Sequence, residues 1–311
     1  MRVASVTPVV AIVGQTATGK SDVAVQVARR LGAEIVNADA SQLYRGMDIG
    51  TAKTPLQHRC GVAHHQLDVL EVTQTASVAA YQRGARADIE AILSRGRVPI
   101  LVGGSGLYVQ AVLDPLRFPG TDPRVRARIA ARADEVGAAA LHAELAQRDP
   151  RAAASILPTN VRRVVRALEV IELTGGPFTA TLPRAEYVRP TVAVGLRRPA
   201  QQLQTAIADR VHRMMEDGFL AEVRDLEKAG LREGPTASKA LGYSQLLAHL
   251  AGDISLDDAV AQTISATTAF AKRQAKWFRR DKRISWIDVV CVQQVVAEVQ
   301  AHLHKAGLGT G

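Results

Sequence analysis

The stretch Val9-Val10-Ala11-Ile12-Val13-Gly14-Gln15-Thr16-Ala17-Thr18-Gly19-Lys20-Ser21 decides the fold. Val9 to Val13 is an unbroken apolar run, mostly β-branched, as expected of a strand buried on both faces of a parallel sheet. Gly14 to Ser21 fits G-x-x-x-x-G-K-[ST] at every position, and from Ser21 to Leu31 the apolar residues recur at helical spacing. A strand before the loop and a helix after it make this a phosphate cradle rather than a bare glycine-rich turn. The glycines let successive backbone N–H groups turn toward one anion, and the helix N-terminus adds its dipole. The expected diphosphate-binding residues are therefore Gly14, Gln15, Thr16, Ala17, Thr18, Gly19, Lys20 and Ser21. Lys20 supplies a mobile positive charge, and Ser21 a hydroxyl ligand for Mg²⁺.

The same alternation continues outward. Glu34 to Ala38 reads as a second short strand. Ser77 to Ser94 reads as a helix closed by Gly96, and Val98 to Val102 as a third buried strand ending in Gly103-Gly104. Strands alternating with helices imply an α/β fold: a P-loop NTPase-like parallel sheet flanked by helices. After Asp114 the texture changes. Pro115, Pro119, Gly120 and Pro123 punctuate the chain, and Arg124 to about Gly175 is helical, rich in Ala and Arg. Pro177 to Pro190 is irregular, and Thr191 to Leu196 resumes as an apolar strand. The reading is a core in two parts, 1–114 and 189–311, interrupted by a helical insertion domain at 115–188. Helices are expected at about 200–229 and 255–280, a strand at Ile284 to Val290, an amphipathic helix near 292–304, and a disordered tail at Gly307 to Gly311.

The chain has 311 residues, 47% of them hydrophobic, enough to bury a sizeable core, and a net charge of +9 that points to a polyanionic partner. Its two cysteines, Cys60 and Cys291, have no neighbours at metal-ligand spacing, so neither zinc nor a disulfide framework is implied. The apolar start runs into the phosphate loop without a cleavage site, and no apolar run is long enough to span a membrane. A cytoplasmic protein is expected.

A P-loop fixes phosphate binding, not the reaction. The third strand ends in Gly103-Gly104-Ser105-Gly106, without the acidic metal ligand usual in P-loop motors. Asp39 stands instead at the carboxyl end of the second strand, where open α/β sheets bind their ligands. A carboxylate there can take a proton from a nucleophile, ligate Mg²⁺, or simply cap a helix. His64 and His65 lack partners at metal spacing and are read as shaping their loop.

Several stretches together carry a resemblance. The first is the loop Gly14 to Ser21. The second is Asp39-Ala40-Ser41-Gln42-Leu43-Tyr44 with the following Arg45-Gly46-Met47-Asp48-Ile49-Gly50-Thr51-Ala52-Lys53. The others are His64-His65-Gln66-Leu67-Asp68, Gly103 to Tyr108, Arg163 to Val170, Gly242-Tyr243, and Ala271-Lys272-Arg273-Gln274-Ala275-Lys276-Trp277. The sequence resembles the bacterial tRNA dimethylallyltransferases (tRNA isopentenyltransferases) over nearly its whole length. The resemblance implies transfer of the dimethylallyl group from dimethylallyl diphosphate to the exocyclic amine of an adenosine adjacent to the tRNA anticodon. It implies Mg²⁺ as cofactor and the tRNA anticodon stem-loop as partner; a monomer is expected.

Residue by residue, the resemblance makes Asp39 the general base, with Lys20 and Ser105 beside it as catalytic groups. It assigns tRNA contacts to Asp39, Ala40, Ser41, Gln42, Ser105, Arg126, Arg163 and Arg166, and to Lys272, Arg273, Gln274 and Lys276. Three positions depart from the family pattern: Ala40 replaces a common Ser, Thr159-Asn160 replaces Asn-Asp, and Thr268 replaces a basic residue. Ser105 keeps the hydroxyl of the usual Thr.

The chemistry is consistent with these groups. An exocyclic amine is a weak nucleophile, but an allylic diphosphate ionises readily, so the protein need mainly hold the leaving group and accept a proton. Lys272, Lys276, Arg279 and Arg283 fall on one helical face and read as a phosphate-tracking stripe, with a second cluster at Arg124, Arg126, Arg128 and Arg132. Trp277 and Phe278 read as core. Two other readings stay open at this point: a P-loop kinase of a small molecule or nucleotide, and a non-catalytic RNA-binding NTP switch.

Overall fold

The computed structural model describes residues 7–178, 186–289 and 292–305. Cys291, Val290 and the tail from Gly307 lie outside these residues. The chain splits into two compact units, 1–114 with 187–311, and 115–186.

The first unit is built on a parallel sheet. Its strands are β1 (Val9–Gly14), β2 (Glu34–Asn37), β3 (His64–His65), β4 (Pro99–Gly103), β5 (Thr191–Arg197) and β6 (Ser285–Asp288), in the spatial order β3-β2-β4-β1-β5-β6. Period-two alternation sends Val10, Ile12, Ile100 and Val194 to one face, against α1 (Lys20–Leu31) and α12 (Val292–Lys305). Val9, Ala11, Val13 and Leu101 face the other way, onto α2 (Val78–Ser94) and α3 (Gly106–Leu113). Because both faces are covered, the strands read as continuous apolar runs. From β1 the chain crosses over β4 to reach β2, whereas β5 lies on β1's other side. The carboxyl ends of β1, β2 and β4 thus surround the switch point at which such sheets bind ligands. Gly14 is required here: its φ is +141°, and a Cβ would overlap the Leu196 carbonyl oxygen of β5.

A further layer of the same unit comprises α8 (Ala200–Glu216), α9 (Phe219–Lys228), α10 (Tyr243–Leu250) and α11 (Leu256–Phe278). Its core joins Phe219, Tyr243 and Leu246 to Tyr44 and Met47 of the loop after β2. Gly218, at φ +99°, separates α8 from α9 within the helical region expected at 200–229. Among the described residues, α3 and α10, each 8 residues long, β3 of 2 residues, and the one-turn helices such as Ala40–Leu43 were not expected from the sequence. All are shorter than the window over which periodicity is readable.

The second unit comprises α4 (Pro123–Val136), α5 (Ala138–Arg148), α6 (Pro150–Ser155) and α7 (Val161–Thr174), packed around Ile129, Leu141, Leu145, Val164 and Leu168. Asp122, Asp149 and Asn160 cap its helices. The Asn160 carboxamide accepts from the Arg163 N–H at 3.3 Å, so the departure at this position still starts a helix.

The core resumes at Tyr187, slightly earlier than the sequence expectation. Val188 N–H donates to Leu113 O at 2.8 Å, and Arg283 grips buried Asp114 at 2.7 and 3.1 Å while stacking 3.8 Å from the Tyr187 ring centroid. The last core residue before the insertion and the first one after it are thus both fastened to Arg283.

Candidate active site

The P-loop is a nest. Ala17 (φ 59°) and Gly19 (φ 78°) are left-handed, and α1 opens after Gly19 with no side-chain cap among the described residues, as suits first-turn amides kept for an anion. Not every loop group faces a ligand. Thr18 is buried, with its hydroxyl on Gln15 O at 2.8 Å; the Gln15 carboxamide donates to Ala271 O at 3.1 Å; the Thr16 N–H is taken by the Gln274 carboxamide at 2.8 Å. Thr16, Lys20 and Ser21 line the crevice between the P-loop and β2. Lys20 donates to Gln15 O. Loss of hydration, then the Arg210 guanidinium, lowers its pKa to about 7 against the opposing pull of Asp39.

Asp39 caps the one-turn helix Ala40–Leu43. One carboxylate oxygen accepts from the Ser41 N–H at 3.0 Å; the other has no hydrogen-bond partner among the described residues. Capping and catalytic availability therefore coexist in one side chain. Ser105 Oγ accepts from the Ala40 N–H at 3.2 Å, tying the β4 turn to the Asp39 turn and leaving its own proton free to donate. Gly106 is where Trp277 packs; a Cβ there would overlap the indole, which places Trp277 in the core.

The signature stretch after Asp39 is a braced loop. Lys53, only 6% exposed, reaches Tyr44 O at 2.9 Å, Asp48 at 2.5 Å and Asp68 at 2.6 Å. Glu222 of α9 accepts from the amides of Asp48, Ile49 and Gly50 at 3.1, 2.6 and 3.2 Å, and from the Tyr243 hydroxyl at 2.6 Å. Gln42, expected to read the base, donates to Thr51 O at 3.1 Å, which makes it part of this brace. The two histidines shape the sheet edge: His64 bonds Val62 O at 2.9 Å, and His65 bonds buried Glu34 at 2.7 Å.

Three cavities adjoin the P-loop. One of about 460 Å³ has Thr16, Asp39, Ser105 and Arg210 on its walls, with Tyr108, Phe219 and Phe270 as apolar surface. One of about 70 Å³ lies among Thr16, Lys20, Ser21, Asp39 and Arg210. The third, about 680 Å³, borders Gly19, Lys20, Ser21, Lys53 and Arg210. Arg210 lines all three and donates to Thr51 O at 3.1 Å. Sequence reasoning missed it. In α8 the apolar stripe is Leu203, Ile207, Val211 and Met214, and an arginine beside such a stripe looks like ordinary helix surface.

The basic residues sort differently from expectation. Lys272, Arg273 and Lys276 are exposed on α11. Gln274, grouped with them by sequence, is 5% exposed and bridges the Thr16 N–H and Gly104 O, the latter at 2.9 Å. Both halves of its amide are thus used inside the protein. Arg283 leaves the proposed stripe because α11 ends at Phe278 and its guanidinium is held by Asp114 and Asp281. In the second unit, Arg126 and Arg166 both bind Glu169, which is fully buried. Burial opposes that carboxylate's charge, but hydrogen bonds from Arg166, Arg126 and Thr121 outweigh it and hold its pKa below the ordinary range. Arg163 is exposed. Thr268 turns its hydroxyl back to Ile264 O at 2.9 Å.

The isopentenyl transferase family profile matches residues 7–67, and the IPP transferase profile matches residues 42–281. The chain belongs to the IPP transferase family. A tRNA dimethylallyltransferase from Thermobifida fusca is 60% identical over 284 residues, covering 90% of this chain and 89% of its own. One from Streptomyces coelicolor is 59% identical over 279 residues, covering 90% of this chain and 89% of its own. Among solved structures, the tRNA isopentenylpyrophosphate transferase of Bacillus halodurans superposes with a TM-score of 0.70 at 38% identity, over 97% of this chain and 96% of its own. That of Staphylococcus epidermidis gives 0.71 at 29% identity, over 96% and 99%. These IPP transferases share the P-loop sheet described above.

Proposed function

We infer that this IPP transferase moves the dimethylallyl group of dimethylallyl diphosphate onto the exocyclic amine of an adenosine adjacent to the tRNA anticodon, releasing diphosphate. The observation that carries this reading is the meeting of Thr16, Lys20, Ser21 and Asp39 in one crevice: an anion cradle beside a carboxylate with a free oxygen. The names and titles of the similar proteins above support the choice of donor and acceptor classes.

In this reading the P-loop amides, the Thr16 hydroxyl, Lys20 and Arg210 hold the diphosphate. The allylic C–O bond breaks with its electron pair leaving on the diphosphate, where these cations and donors stabilise the charge. The amine nitrogen forms the new C–N bond, and Asp39 accepts the amine proton on its unengaged oxygen. Ser105 orients the Asp39 turn. The donor set suits Mg²⁺: Ser21 offers one hydroxyl beside the cradle, and that ion takes its remaining ligands from phosphate and water. When bound it would add positive charge against the diphosphate. The base must leave its stack, which costs least in an open loop such as an anticodon loop. A cytoplasmic monomer belongs to the same reading.

The test offers unmodified tRNA with labelled dimethylallyl diphosphate and, separately, with labelled ATP. Label entering tRNA from the first donor alone is expected; transfer of phosphate from ATP would restore the kinase reading.

A further inference from the structure

Arg210 lines all three cavities beside the P-loop, yet little holds it there. Among the described residues its guanidinium has no ion-pair partner and a single hydrogen bond, donated to Thr51 O at 3.1 Å. Most of its N–H groups are therefore kept for an anion, and its direction rests on where the Thr51 carbonyl points. Thr51 is only 6% exposed, and its hydroxyl donates to Met47 O at 2.7 Å.

The segment leading into Thr51 is held from α9. Asp48, Ile49 and Gly50 present successive N–H groups to the Glu222 carboxylate at 3.1, 2.6 and 3.2 Å, and the buried Tyr243 hydroxyl donates to it at 2.6 Å. Donors converging in this way on one anion make a nest of charge-assisted hydrogen bonds. Gly50 lets the backbone come so close: a Cβ there would stand 2.2 Å from the Phe219 ring and 2.7 Å from that of Tyr243. Lys53 fastens the same loop through the Asp48 side chain and Tyr44 O, and leaves the three amides to Glu222. Glu222 itself lines none of the three cavities, so its influence on the site passes through this loop.

We propose that Glu222 is a positioning residue for donor binding: by holding the Asp48 to Gly50 amides it sets the Thr51 carbonyl, and through it the Arg210 guanidinium that meets the diphosphate. The proposal rests on the transfer reaction inferred above, in which Arg210 belongs to the donor site. A carboxylate is needed because every group that reaches it donates. A carboxamide of the same shape turns its own N–H groups toward some of those donors, so Glu222→Gln frees the loop without removing side-chain volume. The Thr51 carbonyl then swings, and Arg210 loses its one fixed contact.

The experiment is a double-mutant cycle in the full-length protein: Glu222→Gln, Arg210→Ala and the pair. Each is measured for dimethylallyl diphosphate affinity by calorimetry, for transfer kinetics, and for folding by thermal melting. Glu222→Gln should weaken donor binding about tenfold, the effect of losing one charged hydrogen bond, and raise the donor KM in step. In the Arg210→Ala background the same change should add almost nothing, because the group through which Glu222 acts is gone. Equal losses in both backgrounds would overturn the proposal and leave Glu222 a purely structural anchor. Normal donor affinity in either single variant would overturn it too. If Glu222→Gln does not fold, Tyr243→Phe decides, since it removes only one hydroxyl from the nest. Weaker donor binding that disappears as an increment beside Arg210→Ala supports the proposal, and unchanged donor binding overturns it. Failure of the unsubstituted protein to prenylate tRNA would instead sink the inferred reaction.

Discussion

The insertion and the core handle arginine and lysine in opposite ways. In the insertion, Arg126 and Arg166 converge on buried Glu169, Arg128 pairs with Glu172, and Arg132 and Arg148 share Glu144. On α11 of the core, Lys272, Arg273 and Lys276 face solvent with no carboxylate partner among the described residues. Both regions look basic as sequence. Only the second presents most of its charge unneutralised; in the insertion much of it is internal mortar, and Arg163 and Arg124 are the cleaner candidates for an outside anion. A cluster of arginines measures available charge only after its carboxylates have been subtracted.

The sharpest way to break this comparison is to remove one side of it. Replacing 115–186 with a short Gly/Ser linker should abolish tRNA modification yet leave diphosphate affinity by calorimetry unchanged, because Leu113 and Val188 are already hydrogen-bonded across the gap. An unfolded product would mean that the core depends on the insertion after all. Within the core, Asp39→Ala should lower the transfer rate by about 10² to 10⁴ while tRNA affinity by filter binding stays within a few-fold. Affinity collapsing with the rate would give Asp39 a structural duty beyond its single cap.

Within the insertion, Glu169→Ala removes the shared buried partner of Arg126 and Arg166 and should cost about 1–3 kcal/mol locally. Amide exchange should quicken in α4 and α7 and not in the sheet; exchange rising everywhere would contradict two separate cores. Neutralising Lys272, Lys276 and Arg279 together should reduce the tRNA salt slope by roughly 0.7 to 0.9 for each phosphate no longer neutralised. Arg126→Ala should disturb the insertion's stability more than the slope, and the reverse pattern would undo the contrast.

The smallest effect concerns Lys20. Unfolded, this lysine keeps its proton up to its ordinary pKa of 10.5; folded, it gives the proton up at about 7. The unfolded chain therefore binds more protons across that interval, and raising pH from 7 toward 10 should stabilise the ligand-free protein. A diphosphate restores the charge, so above pH 7 its binding should take up a proton, visible by calorimetry in buffers of different ionisation enthalpy. Buffer-independent heats would refute it.

The sequence was informative where one residue type has one physical use. The β1 run, the P-loop glycines and the breakers after Asp114 predicted sheet, cradle and insertion, because backbone geometry leaves few alternatives there. Asp39 was found from its place at a strand end. What stayed hidden depended on partners distant in sequence. Nothing local marks Arg210 as a crevice residue, Glu222 as the cap of Asp48 to Gly50, or Gln274 as buried. Gln42 and Gln274, both expected to contact tRNA, also hold backbone through their carboxamides, a use that only the folded structure discloses.

The position of Gln274 has a mechanical consequence. One side of α11 displays Lys272, Arg273 and Lys276, while Gln274 on the other clasps the Thr16 amide and the Gly104 carbonyl. The helix cannot slide or roll appreciably without breaking one of those hydrogen bonds. It therefore behaves as a rigid strut, its outer surface open to one reactant and its inner surface fixing the cradle of the other. In the reading proposed above, a polyanion settling on the cations would load a helix that is joined through Gln274 to the Thr16 and Gly104 turns. Coupling carried by this strut is reciprocal: whatever factor a filled cradle applies to tRNA affinity, bound tRNA applies to the affinity for the diphosphate.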